Sequence, residues 1–288
     1  MTDRREHSPA DTPYRGTTIA VGTRHGKQHQ FALAFRSLLG AQLLTPPDLD
    51  TDRFGTFTGE VARRGAATEA ARGKARLAME ITGLPYGLAS EASYGVLPGG
   101  WFGHEEIVMF CDEVLGIEVV EGYRSTSVPS TGHRVARPAD LPDQLLAGLP
   151  QQALTVRPCG PVAGVAKGVS DTDTLATAIA AAVAASPDGL ALVEPDLRAH
   201  HNPGRRRVLR RLAASLARRL ATGCPVCGCP GFGRVSSETG LPCRLCDTPT
   251  ALVCNEIHAC ASCSHQLRRP TSAAADPAMC PTCNPREQ

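Results

Sequence analysis

Four Cys-x-x-Cys pairs crowd the last quarter of the chain: Cys224/Cys227, Cys243/Cys246, Cys260/Cys263 and Cys280/Cys283. Ten of the 12 cysteines fall from Cys224 onward, leaving only Cys111 and Cys159 before them. In a reducing compartment, thiols spaced this closely are metal ligands or redox groups rather than structural disulfides. The first and second pairs are separated by 15 residues and the third and fourth by 16, so each set fits a zinc ribbon. An interleaved site, joining Cys224/Cys227 to Cys260/Cys263, would use the same eight ligands. Both arrangements predict two structural zinc ions, whose binding supplies stability that so little apolar content cannot. A dithiol redox protein would place one such pair at a helix start, whereas here prolines and glycines put four pairs in tight turns. Cys229, Cys254, His258 and His265 are read as bystanders.

The cysteines also divide the chain. A cysteine-rich zinc-binding domain is expected over 223–288 and an α/β domain over 17–222. A flexible tail is expected over 1–16, which is polar and lacks the apolar core of a secretory signal. That absence, with a longest apolar run of only 11 residues (175–185), predicts a cytoplasmic protein with no membrane partner. A formal charge of +2 excludes a generally basic nucleic-acid coat but permits a local basic patch.

Residues 18–22 read as a strand ending in glycine. Thr23, Arg24, His25 and Lys27 follow in a loop, and a helical pattern runs through Phe31, Ala34, Phe35, Leu38 and Leu39. Strand, loop and helix in that order aim backbone N–H groups at one point, which suits a phosphate. An acidic, Gly/Thr-rich loop (48–60) precedes an Ala-rich helix over 66–82 that carries Lys74 and stops at Gly83. A short strand, 87–90, then ends at Glu91, placing a carboxylate where open α/β sheets bind ligands. Residues 106–111 and 118–123 read as a hairpin. The alternation continues through segments at 153–156 and 162–169, a helix over 173–185 and a strand at 190–193, which argues for a mixed sheet flanked by helices.

A polar stretch with Glu194, Asp196, Arg198, His200, His201 and Asn202 leads into an amphipathic helix whose apolar face holds Val208, Leu209, Leu212, Leu216 and Leu220. Arg207, Arg210, Arg211 and Arg218 lie opposite, either as a solvated face or as a site for a nucleic-acid backbone. Of 30 basic residues only three are lysine, Lys27, Lys74 and Lys167. A lysine surviving that bias toward arginine is informative, because an ammonium does not replace a guanidinium.

Over the first hundred residues the motif order resembles the inosine triphosphate pyrophosphatase superfamily. Thr23, His25 and Lys27 match its first loop, and Ala70, Ala71, Lys74 and Ala75 match its Asn-Ala-x-x-Lys-Ala helix. Thr82, Gly83, Leu84 and Pro85 precede a strand ending in Glu91 and Ser93. His25 stands for the family's asparagine, and Glu91 stands alone where paired aspartates usually bind magnesium. The whole chain also resembles a bacterial family of unknown function, through Asp50 and Asp52, Gly55 to Glu60, Glu194, Asp196, Arg198, His200, Asn202, Pro203 and the Gly240, Leu241, Pro242, Cys243 run. The first resemblance implies an inosine triphosphate pyrophosphatase-like fold and a magnesium-dependent nucleoside triphosphate phosphohydrolase. Thr23, Arg24, His25 and Lys27 would hold phosphates, Glu91, helped by Glu60 or an acid of the 48–52 loop such as Asp48, would hold magnesium and orient water, and Lys74 and Arg198 would neutralise developing charge. The alternative is a non-catalytic module, in which the 198–219 helix and the zinc tail grip nucleic acid or protein and the α/β part binds a nucleotide-like ligand.

Overall fold

The computed structural model describes residues 12–47, 49–55, 65–97, 100–127 and 132–285. The first sheet is built from β1 (Thr18–Gly22), β2 (Gln42–Leu44), β3 (Tyr86–Val96), β4 (Phe102–Asp112) and β5 (Ile117–Ser125), in the order β2-β1-β3-β4-β5. Strand β1 runs parallel to β2 and β3, and β3, β4 and β5 form an antiparallel meander. This is the expected mixed sheet flanked by helices.

Each face of the sheet has its own core. Helix α1 (Gln28–Leu39) buries Phe31, Phe35 and Leu39, and the long C-terminal helix of the α/β part, α5 (Pro203–Leu220), adds Leu209, Leu212, Leu216 and Leu220 to the same cluster. A fully buried leucine contributes about 1.5–3 kcal/mol, so this stripe is what pins α5 to the sheet. Helix α2 (Ala67–Thr82) covers the opposite face with Ala71, Ala75, Ala78 and Met79. Such small side chains let its backbone come close, and glycines meet it from the sheet. A Cβ on Gly87 would lie 2.5 Å from the Met79 sulfur.

A second sheet was not anticipated. Strands β6 (His133–Val135), β7 (Leu154–Pro158), β8 (Ala166–Val169) and β9 (Ala191–Pro195) form an antiparallel sheet in the order β6-β9-β7-β8. Helix α3 (Asp143–Leu146) lies between β6 and β7 in the chain, while α4 (Thr172–Ala185) covers the sheet with Leu175, Ile179 and Ala182. The segment expected at 162–169 narrows to the four residues of β8, and the three of β6 are too few to leave a periodic signal.

Strand β3 also departs from expectation. It spans 11 residues, so Glu91 is mid-strand rather than at a strand end. The end that matters belongs to β1, whose Gly22 pairs with Ala89. Beyond that pair β3 continues without its parallel neighbour, and Glu91, although buried, lines the cavity beside the β1 terminus. Residues 12–16, within the segment expected as a tail, are held against the first sheet. Tyr14 is 1% exposed, and its hydroxyl donates to Asp112 at 2.9 Å.

The cysteine-rich segment folds around β10 (Gly233–Thr239), β11 (Val253–Ala259) and β12 (Gln266–Pro270), antiparallel in that order. Arg219 at the end of α5 holds it in place. Its guanidinium donates to the carbonyl oxygens of Gly231 at 2.9 Å and Val120 at 3.1 Å, and to Glu121 at 3.0 Å. Among the described residues, no helix is long and apolar enough to cross a membrane.

Candidate functional site

The 23–27 loop leaves β1 and turns into α1 through Gly26, whose φ of 66° favours a residue without a Cβ. It forms one wall of a cavity of about 110 Å³, lined also by Thr51, Asp52, Lys74, Glu91, Lys167 and Arg198. All three lysines of the chain therefore meet in one place. They arrive from the start of α1, the middle of α2 and β8 of the second sheet, so the cavity exists only where the two sheets adjoin. Of the residues expected from sequence, Thr23, Arg24, His25, Lys27, Lys74, Glu91 and Arg198 are all brought here. Glu60 and Asp48 lie outside the described residues.

Close backbone packing sets the geometry. A Cβ on Gly22 would lie 2.2 Å from the Lys74 carbonyl oxygen, and a Cβ on Gly73 would lie 2.4 Å from the Phe54 ring. The first approach brings α2 onto the end of β1. The second seats the 51–55 turn on α2, which delivers Asp52 to Arg24 at 2.6 Å. Lys74 donates to Glu91 at 2.5 Å, with side chains only 10% and 8% exposed. Lys27 donates to the Ser90 hydroxyl at 3.2 Å. Asp196, 1% exposed, accepts from the Arg198 backbone N–H at 2.9 Å and pairs with its guanidinium at 2.6 Å, which fixes that side chain against the cavity.

A fully dry ion pair supports the site from below. Arg205 donates to both oxygens of Glu106, at 2.7 and 2.9 Å, where neither side chain exceeds 2% exposure. Burial alone would raise the Glu106 pKa, but the adjoining Arg205 guanidinium overrides it and holds the carboxyl down at about 2. Burial lowers Lys27 to about 8, reinforced by the Arg205 charge and opposed by Glu106 and Glu91. His25 stacks on His200 with ring centres 4.8 Å apart, and His201 adjoins His200 at 4.0 Å. Burial pushes all three imidazoles below their ordinary range, His200 to about 4. The imidazoles are thus neutral at pH 7. What remains is five cationic side chains against the two carboxylates of Asp52 and Glu91, which is an environment for an anion.

Beside this cavity lies an open cleft of about 680 Å³, sharing Thr23 and Arg24 with it and walled by Pro46, Pro47 and Leu49. Two buried atoms there, Gln28 Oε1 and Thr45 Oγ1, have no hydrogen-bond partner among the described residues.

The cysteines resolve into two interleaved groups, Cys224, Cys227, Cys260 and Cys263, and Cys243, Cys246, Cys280 and Cys283. The arrangement of two successive ribbon-like sets is therefore overturned. The first pair returns on the third and the second on the fourth, because β10 and β11 fold the chain back between them. Neighbouring sulfurs stand 3.4–3.9 Å apart. Four thiolates at ~2.3 Å from a tetrahedral zinc lie ~3.8 Å from one another, so the spacing suits a metal such as zinc and is far too long for a disulfide. Cys229, Cys254, His258 and His265 belong to neither group. Instead Phe232 stacks on His265, and Cys229 packs against the α1/α5 core.

Three participants were not assigned as site residues from sequence, Lys167, Glu106 and Arg205, whereas Asp52 is one of the acids expected from the 48–52 loop. The scarcity of lysine was the one signal that reached Lys167. Glu106 and Arg205 are 99 residues apart in sequence and carry no local pattern.

Comparison with known proteins finds a match to a family model described as a domain of unknown function (DUF6671), over residues 74–285. No curated protein and no solved structure matches the chain.

Proposed function

The chain belongs to the DUF6671 family, which carries no activity to inherit, and we propose from the site itself that it is a nucleoside triphosphate phosphohydrolase of the inosine triphosphate pyrophosphatase type. The observation that carries this reading is the convergence of Lys27, Lys74 and Lys167 on one small cavity beside Glu91. At about 110 Å³ the cavity matches phosphate groups rather than a whole nucleotide. The adjoining cleft, with Gln28 and Thr45 offering polar atoms, has room for the remainder of the ligand.

The chemistry assigned to the residues is hydrolysis of a phosphoanhydride. Lysine ammoniums and the Arg24 and Arg198 guanidiniums neutralise the phosphoryl oxygens, and the start of α1 adds its partial positive charge. Glu91 accepts a hydrogen bond from the attacking water. The water oxygen bonds to the α-phosphorus as the α–β anhydride P–O bond breaks, its electron pair leaving with pyrophosphate, and the proton released from water passes to Glu91 and then to solvent. Magnesium, when it arrives on a polyphosphate, takes only one or two carboxylates from protein. Glu91 and Asp52 would be the carboxylates offered to it, and the ion would supply further neutralisation of phosphate charge. In the cysteine-rich domain the metal is assigned as zinc, with a structural role, since all four positions of each group are filled by thiolates.

The deciding experiment incubates the full chain with a panel of nucleoside triphosphates, with and without magnesium, and measures pyrophosphate and phosphate release. Turnover that disappears in Glu91→Gln and Lys74→Ala supports the reading. Tight binding of triphosphate with no release from any member of the panel would assign a non-catalytic nucleotide-binding module instead, and neither binding nor release would sink both.

A further inference from the structure

A second cavity, about 400 Å³, is lined by Arg205 together with Tyr94, His104, Tyr123, Arg207 and Arg211. Its origin is the length of the meander. Side chains alternate along a strand, so Phe102 and His104 share a face of β4 with Glu106, the side to which α5 is bound. Across the ladder, Val96 faces Phe102, Tyr94 and Ser125 face His104, and Tyr123 faces Glu106. Helix α5 starts at Pro203 and grips Glu106 through Arg205, and among the described residues no helix covers the strand ends beyond it. The outcome is a sheet surface rich in rings. Tyr94 and His104 stack with centres 4.6 Å apart, Tyr123 lies 6.5 Å from His104, and Phe102 remains 60% exposed.

The arginines of α5 fall into two groups. Arg205 pairs with Glu106, Arg206 donates to the His200 carbonyl, Arg210 to Gln30, and Arg219 pairs with Glu121. Arg207, Arg211 and Arg218 are exposed and have no acidic partner among the described residues. They follow one another on a single helix face, ~17 Å from first to last at 1.5 Å per residue. Arg207 and Arg211 line the ring-walled cavity and also a shallow groove that continues along the helix to Ala214 and Arg218. No carboxylate lines either surface among the described residues.

We propose that this surface binds single-stranded nucleic acid, with one base stacked against the exposed Tyr123 ring beside Tyr94, which the buried His104 backs, and the following phosphates along Arg207, Arg211 and Arg218. Rings beside a basic track are what a strand with unstacked bases requires. A duplex keeps its bases stacked and has no use for the cavity, whereas planar guanidiniums at helical spacing suit successive phosphates. The site is separate from the lysine cavity and does not rest on the hydrolase reading.

The test measures fluorescence anisotropy of labelled oligothymidylate and oligouridylate, of about 12 nucleotides, and of a duplex of equal length, with the full chain over a range of salt. The single strands bind and the duplex binds at least tenfold more weakly. Replacing Arg207, Arg211 and Arg218 by Gln lowers the salt slope by about two, at roughly 0.7 per phosphate contact. Tyr123→Ala weakens the single strand about tenfold at unchanged slope, and Tyr123→Phe, which keeps the ring, restores it. Thermal melting of each variant at the wild-type midpoint separates lost binding from lost fold. Absence of strand binding at roughly 50 mM salt, or equal binding of duplex and strand with Tyr123→Ala silent, overturns the proposal. So does displacement of the strand by an equal concentration of thymidine monophosphate, which would identify a free nucleotide as the occupant.

Discussion

Gly22 and Lys74 stand so close that a Cβ on the glycine would lie 2.2 Å from the lysine's carbonyl oxygen. The contact is backbone on backbone, so no side-chain rotation relieves it. Gly22→Ala must therefore push α2 off the end of β1, a form of overpacking that costs about 1–3 kcal/mol. Urea denaturation of the variant should show that loss, together with weaker binding of inorganic pyrophosphate as Lys74 moves. Wild-type values for both would show that α2 is not held in this register.

Glu106 and Arg205 form the driest ion pair described. The Glu106 carboxyl is held at about 2, below its ordinary value of 4.5. A depressed carboxylate contributes stability that is complete above the unfolded pKa and is lost as the pH falls through the folded one. The wild-type protein should accordingly lose stability between about pH 4.5 and pH 2, and Glu106→Gln should flatten that part of the curve. At neutral pH the same variant strands the Arg205 guanidinium in a dry site, with an expected cost of about 3–5 kcal/mol. Equal acid profiles for the two proteins would contradict this assignment.

Lys27 is lowered to about 8 by burial and the Arg205 charge. Its cationic form is present below that pH and gives way to the neutral amine above it. Affinity for inorganic pyrophosphate, followed by calorimetry, should fall as the pH rises through about 8. In Lys27→Arg, whose guanidinium stays charged, that decline should vanish. A pH-independent affinity in the wild-type chain would remove Lys27 from the anion site.

The interleaving of the cysteines can be read chemically. Replacing Cys260 and Cys263 by serine should expose Cys224 and Cys227 to alkylation while Cys243, Cys246, Cys280 and Cys283 stay protected. Successive sets would instead expose Cys280 and Cys283. Mass spectrometry of the alkylated peptides distinguishes the two, and metal analysis of the wild-type chain should give about two zinc ions.

The sequence was most legible where the chemistry is local. The eight cysteines that come together in two groups able to hold a metal can be named from spacing alone, and the loop from Thr23 to Lys27 announces itself by the strand and helix on either side. Pairing between cysteine turns is a property of how β10 and β11 fold back, which spacing does not encode. Glu91 was recognisable as a site residue, but its place in the middle of β3 follows from β1 ending first at Gly22. Lys167 illustrates a different limit. Its rarity marked it, yet nothing around it in β8 says that a second sheet carries it to the first. The Glu106–Arg205 pair left no trace, because each partner is an ordinary charge until the fold removes water from both.

The crossed cysteine turns also bear on the order in which the protein is completed during synthesis. With successive sets the first metal centre could close once Cys246 had emerged from the ribosome. As folded, it waits for Cys263, which lies 39 residues after Cys224. By then the second pair has also emerged and is still waiting for Cys280 and Cys283. For that interval the second pair would remain unprotected inside a segment whose first group is already complete, so the two metal centres would close in turn, both late in synthesis.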